Sequence, residues 1–209
     1  MNAADFRFYA ITDRQRCGME RMLEQLNTAF EQGLRAVQIR EKDLPAQSLL
    51  QLALEIKRSA HAHGAMVLIN DRLDIAMAAG LDGVHLPERG MPVADARRLL
   101  GDHLLIGVSA HDAGRVQQAS DEGADFCVAG PVSETISKDK GHWIMPEAVF
   151  KDLCRKSSIP VFALGGIHAH DIQKWTDLGA RGIAGISIWL EDENISETFE
   201  FMKKSLGSL

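Results

Sequence analysis

Eight short β-rich runs, separated by segments with helical spacing, constrain the fold of this chain more than any other feature. The runs are FRFYAIT (6–12), AVQIRE (36–41), MVLIND (66–71), GVHLP (83–87), LLIGVSA (104–110), FCVAGPV (126–132), PVFALGG (160–166) and GIAGISIW (182–189). Several are apolar almost throughout, the pattern of a parallel strand covered on both faces. Between them apolar residues recur with helical period, as in Met22, Leu26, Ala29 and Phe30, or Leu49, Leu52, Ala53 and Ile56, so that each segment buries one stripe. Gly33, Gly64, Gly80, Gly101 and Gly179 each stand just ahead of a strand, where a helix commonly ends on a left-handed residue. The unit of strand, loop, helix and glycine predicts an α/β fold, a single (β/α)8 TIM barrel with parallel strands, as one domain over 1–209. A doubly wound open sheet shares the alternation, but no G-x-G-x-x-G follows the first strand.

Composition narrows the partners. The chain is 45% hydrophobic over 209 residues, enough for one sizeable core. Its net charge of −6 gives no general attraction for nucleic acid or an acidic membrane, so an anionic ligand must be held by a local arrangement. Small phosphorylated molecules are the expected partners, with no nucleic acid and no membrane, and a homodimer is possible. The start MNAADFRFYAITDRQ lacks the basic and apolar regions of a secretory signal, and a cytoplasmic setting is expected. Cys17, Cys127 and Cys154 are odd in number and far apart, which suits reduced structural thiols.

A barrel carries its site at the C-terminal ends of its strands, and unusual residues gather there. Asp13 follows the first run; Asn70, Asp71 and Arg72 end the third; Ser109 and His111 end the fifth. Gly130, Pro131, Thr135, Ser137 and Lys138 follow the sixth. Gln38, Arg40 and Lys42 alternate along the second, so they share one face. An outer strand face lies under helices, where unpaired charge is costly, which favours the barrel interior. Asn70 and Asp71 also suit a helix N-cap, while as ligands Asp71 suits Mg2+ and Asn70 offers a binding amide. Gly165 and Gly166 end the seventh run and Ser187 lies in the eighth, where barrels commonly bind phosphate through backbone N–H groups. His85 reads equally as a hydrogen-bonded core residue or an acid–base group. His142 and Trp143 stand in a polar loop able to close over a ligand, and His168 and His170 carry no assigned role.

In order along the chain, YAITDR, VQIREK, LINDRLDIAMAAGLDGVHLP, IGVSAH, AGPVSET and ALGGI resemble the thiamine phosphate synthase family, which shares its barrel with the thiazole tautomerases. The resemblance implies transfer of a hydroxymethylpyrimidine from its diphosphate to a thiazole phosphate, with release of pyrophosphate. It implies that Gln38, Arg40, Lys42, Asn70 and Ser109 bind the pyrimidine diphosphate, with Asp71 on Mg2+. Thr135 and Ser137 would meet the thiazole phosphate, whose phosphate would rest on Gly165, Gly166, Ile186 and Ser187. Arg40, Ser109 and Lys138 would be catalytic, Lys138 neutralising the leaving oxygens. Two departures stand out. Gly90 of HLPERGMP occupies the place of a second acidic Mg2+ ligand, with Glu88 two residues earlier, and Pro131 occupies the place of the acid–base histidine of some tautomerases. The synthase reading is preferred to tautomerisation of a thiazole carboxylate and to non-catalytic binding of a precursor or phosphate.

Overall fold

Alternation along the strands dictates what faces inward, and closure of the sheet makes that inner face a compartment of its own. The structure, a computed structural model, describes residues 5–134 and 143–206. Its strands are β1 (Phe8–Ile11), β2 (Ala36–Ile39), β3 (Met66–Asn70), β4 (Gly83–Leu86), β5 (Leu105–Ala110), β6 (Phe126–Ala129), β7 (Val161–Leu164) and β8 (Gly182–Gly185). They pair in parallel in chain order and close through β8 against β1, where Tyr9 is in register with Ala184.

Around the barrel run α1 (Arg14–Cys17), α2 (Met19–Gln32), α3 (Ala46–Ala62), α4 (Leu73–Ala79), α5 (Val93–Leu100), α6 (Ala113–Asp121), α7 (Glu147–Lys156), α8 (Ile172–Asp177), α9 (Ser187–Leu190) and α10 (Ile195–Ser205). The helical stripes are as the spacing predicts: α2 buries Met22, Leu26, Ala29 and Phe30, and α3 buries Leu49, Leu52, Ala53 and Ile56. Gly33 closes α2 in the left-handed conformation at φ 108°, which a side chain would resist. Among the described residues no helix is long and apolar enough to cross a membrane.

The predicted eighth strand, 182–189, is too long. It ends at Gly185, and Ser187 opens the turn α9. Trp189 and Leu190 are adjacent, fully buried and both part of the core outside the barrel wall; neighbours in a strand would face opposite sides of that wall, whereas a helical turn lets both face the same side. Trp189 packs there against Phe8 and Phe199.

The core divides into two parts. Between barrel and helices lies the larger, with Val37, Ile39, Val67, Ile69 and the apolar helix stripes. Inside the barrel Phe6, Tyr9, Phe126 and Phe162 form an aromatic plug, with Phe6 stacked on Phe162 at 4.8 Å and Tyr9 edge-on to Phe126 at 5.4 Å. These rings come from the beginnings of strands or just before them, so they fill the N-terminal end and leave the smaller and polar inward residues to line the other mouth. A Cβ on Gly107 would lie 2.3 Å from Phe126 Cζ, so the absent side chain makes room for the plug. Gly107→Ala is expected to destabilise the fold by about 1–3 kcal/mol through overpacking, read from urea unfolding.

Candidate active site

Inward parity carries Gln38 and Arg40 of the second strand, Asn70 of β3, His85 of β4 and Ser109 of β5 to the C-terminal mouth. The mouth encloses a cavity of 670 Å3. Of the residues anticipated from sequence, Gln38, Arg40, Lys42, Asn70, Ser109, Gly165, Gly166, Ile186 and Ser187 all line it. Thr135, Ser137, Lys138 and His142 lie outside the described residues.

On the β2–β5 side a polar layer is built by neighbouring strands. Gln38 Nε2 donates to Asn70 Oδ1 at 3.3 Å, and His85 Nε2 lies 2.9 Å from Ser109 Oγ. Gln38 and His85 are buried. Arg40 N donates to Thr12 Oγ1 at 2.8 Å, which ties the strand end carrying the guanidinium to the end of β1. Burial, with Arg40 close by, lowers the His85 pKa to about 3, because both disfavour an imidazolium. The imidazole is therefore neutral at physiological pH.

Across the mouth, Gly165 and Gly166 take φ of 102° and 63°, and their backbones touch the loop after β6. A Cβ on Gly165 would sit 2.7 Å from Pro131 Cβ, and one on Gly166 would sit 2.1 Å from the Glu134 carbonyl oxygen. Val132 N and Ser133 N donate to the carbonyls of Leu164 and Gly165. The glycine pair thus also serves close contact between two loops, a packing demand beside the anion-binding one inferred from sequence.

Asp71 stands apart from the large cavity. It lines an adjoining hollow of 310 Å3 that shares Lys42, Asn70 and Pro87 with the main cavity. The N-cap of α4 is Arg72, without a side-chain capping bond, so the capping alternative for Asn70 and Asp71 does not hold. Asp71 is instead the one non-glycine residue with positive φ, 57°, among the described residues, a conformation that costs energy and clusters at functional sites. Gly90 sits beside it: a Cβ there would lie 2.9 Å from Asp71 Oδ1. A side chain at this position would start against the Asp71 carboxylate, and glycine supplies none. Glu88 turns to the main cavity, with Oε2 3.7 Å from His111 Nε2. Among the described residues no group of three or more His, Cys, Asp or Glu side chains converges.

Other cavity residues escaped the sequence reading. Ile11, Val128, Leu164 and Ala184 follow from inward parity and supply an apolar lining. Gln15 and Arg16 reach the cavity from the turn α1, and Arg16 pairs with Glu191 beyond α9. No local signal singles out this contact, since it joins the two ends of the chain. Trp143 meets His111 edge-on at 6.4 Å.

A family model described as thiamine monophosphate synthase matches residues 8–188. A Geobacter sulfurreducens protein named "Putative thiamine-phosphate synthase" is 46% identical over 197 residues, covering 94% of this chain and 92% of the relative. Thiamine-phosphate synthase 2 of Streptococcus pneumoniae is 32% identical over 205 residues, covering 98% and 97%. Among solved structures, a thiamine phosphate pyrophosphorylase from Pyrococcus furiosus superposes with a TM-score of 0.85 at 28% identity, covering 98% of this chain and 96% of that one.

The neutral His85 makes a stability prediction. Its folded pKa of about 3 lies below the ordinary 6.5, so between these values the unfolded chain binds a proton that the folded chain refuses. The contribution of His85 is complete above pH 6.5 and is lost as the pH falls through that window. In urea unfolding from pH 7.5 to 4.5, the stability of wild type relative to His85→Gln is expected to decrease steadily with acidification.

Proposed function

This chain belongs to the thiamine monophosphate synthase family, and we propose that it is a transferase joining hydroxymethylpyrimidine diphosphate to thiazole phosphate, yielding thiamine phosphate and pyrophosphate. One observation carries the reading: a single cavity is lined by Arg40 and Lys42 after the second strand and by Gly165, Gly166, Ile186 and Ser187 after the seventh and eighth. That cavity suits two anionic substrates whose reacting ends meet between them.

The chemistry asks for charge stabilisation more than for proton transfer. The bond from the pyrimidine methylene carbon to the diphosphate oxygen breaks, and its electron pair leaves with the diphosphate. The electron-rich pyrimidine bears the positive charge on the methylene, and the thiazole nitrogen lone pair forms the new C–N bond. Arg40 and Lys42 stabilise the growing negative charge, and Gln38, Asn70 and Ser109 orient the pyrimidine diphosphate. Gly165, Gly166, Ile186 and Ser187 hold the thiazole phosphate, with the glycines letting backbone approach the anion. Thr135, Ser137 and Lys138 complete the two subsites in this reading, with Lys138 at the leaving oxygens.

Although His85 and Ser109 are hydrogen-bonded, they are not a base and nucleophile pair. An imidazole whose pKa is lowered to about 3 is too weak a base to activate a hydroxyl at neutral pH. Pro131, packed against Gly165, carries no proton to transfer, which counts against tautomerisation there.

Asp71 fits a Mg2+ ion that takes one protein carboxylate and completes its shell with diphosphate oxygens and water. Its carboxylate opens to a hollow shared with Asn70 and Lys42 and is not consumed by capping. Such an ion supplies neutralisation of the diphosphate charge. Gly90 beside it adds no second carboxylate, and Glu41, which lines the same hollow, is engaged by Arg14.

Purified protein given both substrates and Mg2+ is expected to release thiamine phosphate and pyrophosphate in equal amounts; no product at any metal concentration would overturn the assignment. Arg40→Ala is expected to lower kcat by about 100-fold or more, in the range for loss of one charge-stabilising donor. Asp71→Ala is expected to abolish the Mg2+ dependence of the rate, measured by pyrophosphate release across a metal titration.

A further inference from the structure

His85 is a buried titratable group that the proposed reaction leaves without a task. It is 3% exposed, and its ring lies between Tyr9 at 5.9 Å and Phe126 at 6.1 Å. His85 is in register with Gly107 on the neighbouring strand. Ser109 is therefore two residues further toward the mouth on the same inward face, and the 2.9 Å contact from His85 Nε2 to Ser109 Oγ runs upward from the plug to the site. The other ring nitrogen, Nδ1, is buried with no hydrogen-bond partner among the described residues, as is the Tyr9 hydroxyl.

A neutral imidazole carries one proton, on either nitrogen. On Nδ1 it would be a buried donor with nothing to accept it, while Nε2 would demand the proton of Ser109. On Nε2 it is satisfied by Ser109 Oγ, and only an acceptor lone pair on Nδ1 is left over. Orphaned buried N–H donors are the rarer and costlier arrangement.

We propose that His85 is a positioning residue whose Nε2–H donates to Ser109 Oγ, so that the Ser109 hydroxyl proton is left to donate to an oxygen of the departing diphosphate. This inference rests on the synthase reading for the identity of the anion. A hydroxyl fixed from below and aimed at a site of growing negative charge makes a charge-assisted hydrogen bond without reorganising during the reaction.

The test compares two substitutions of similar size. His85→Gln retains an N–H donor able to reach Ser109, and His85→Leu does not. His85→Leu is expected to lower kcat by about 10- to 100-fold, the lower part of the range for losing a preorganised donor, with the KM for thiazole phosphate within twofold. His85→Gln should recover most of that rate, and Ser109→Ala in the His85→Leu background should cost nothing further. Equal losses for Gln and Leu, or losses from positions 85 and 109 that multiply, would overturn the proposal. A separate readout is 15N NMR of histidine-labelled wild type at pH 7.5, where one ring is expected to be neutral and protonated at Nε2, absent in His85→Gln. Protonation at Nδ1 would overturn the proposal whether or not the protein makes thiamine phosphate. An inactive wild type with the Nε2–H ring present would instead overturn the synthase reading while supporting the hydrogen bond.

Discussion

Closure of the parallel sheet is the constraint on which the rest depends. Once β8 pairs with β1, every strand has two neighbours and no edge is exposed, so backbone polar groups within the ladder are satisfied without solvent. The same closure creates an enclosed interior, which must be filled. The chain meets that demand unequally along the barrel axis: four aromatic rings occupy the N-terminal end, while small and polar residues face the C-terminal mouth. A cavity at the mouth is what remains when the packing material is concentrated below it.

That division also sets the electrostatics. The polar layer above the plug includes buried Gln38 and His85, each of which costs free energy unless hydrogen-bonded. Gln38 meets the cost through Asn70 and His85 through Ser109. Desolvation then keeps His85 neutral, and Arg40 reinforces this by repelling a second positive charge. The layer consequently supplies directed donors and fixed positive charge, which suits departure of an anionic group better than proton abstraction. In the adjoining hollow, Asp71 retains its unusual backbone conformation while Gly90 brings no second acid to it.

Much of the candidate site was legible because a strand is a ruler. Gln38 and Arg40 share a face by spacing alone, and the cost of burying cations under helices chooses the inner face for them. Glycines before strands likewise announced helix ends. The same logic overran the eighth strand, because GISIW is as β-rich as its predecessors and the turn after Ile186 is set by the place Trp189 takes against Phe8 and Phe199. The Gly165–Gly166 pair was read as an anion cradle; its contact with Pro131 and Glu134 is a second cause, invisible without the loop that crosses it.

By itself the sequence determined the closed α/β architecture, the parity of the inward residues and the motif order that marks the family, since each depends on short-range spacing and composition. Only the tertiary structure decided which residues meet across elements. It separated Asp71 from the main cavity, turned Glu88 toward His111, brought Arg16 to Glu191 and gave His85 its partner in Ser109. These outcomes depend on where strands tilt and loops cross. Contact between residues distant along the chain is set by packing the whole barrel, and no local pattern encodes it.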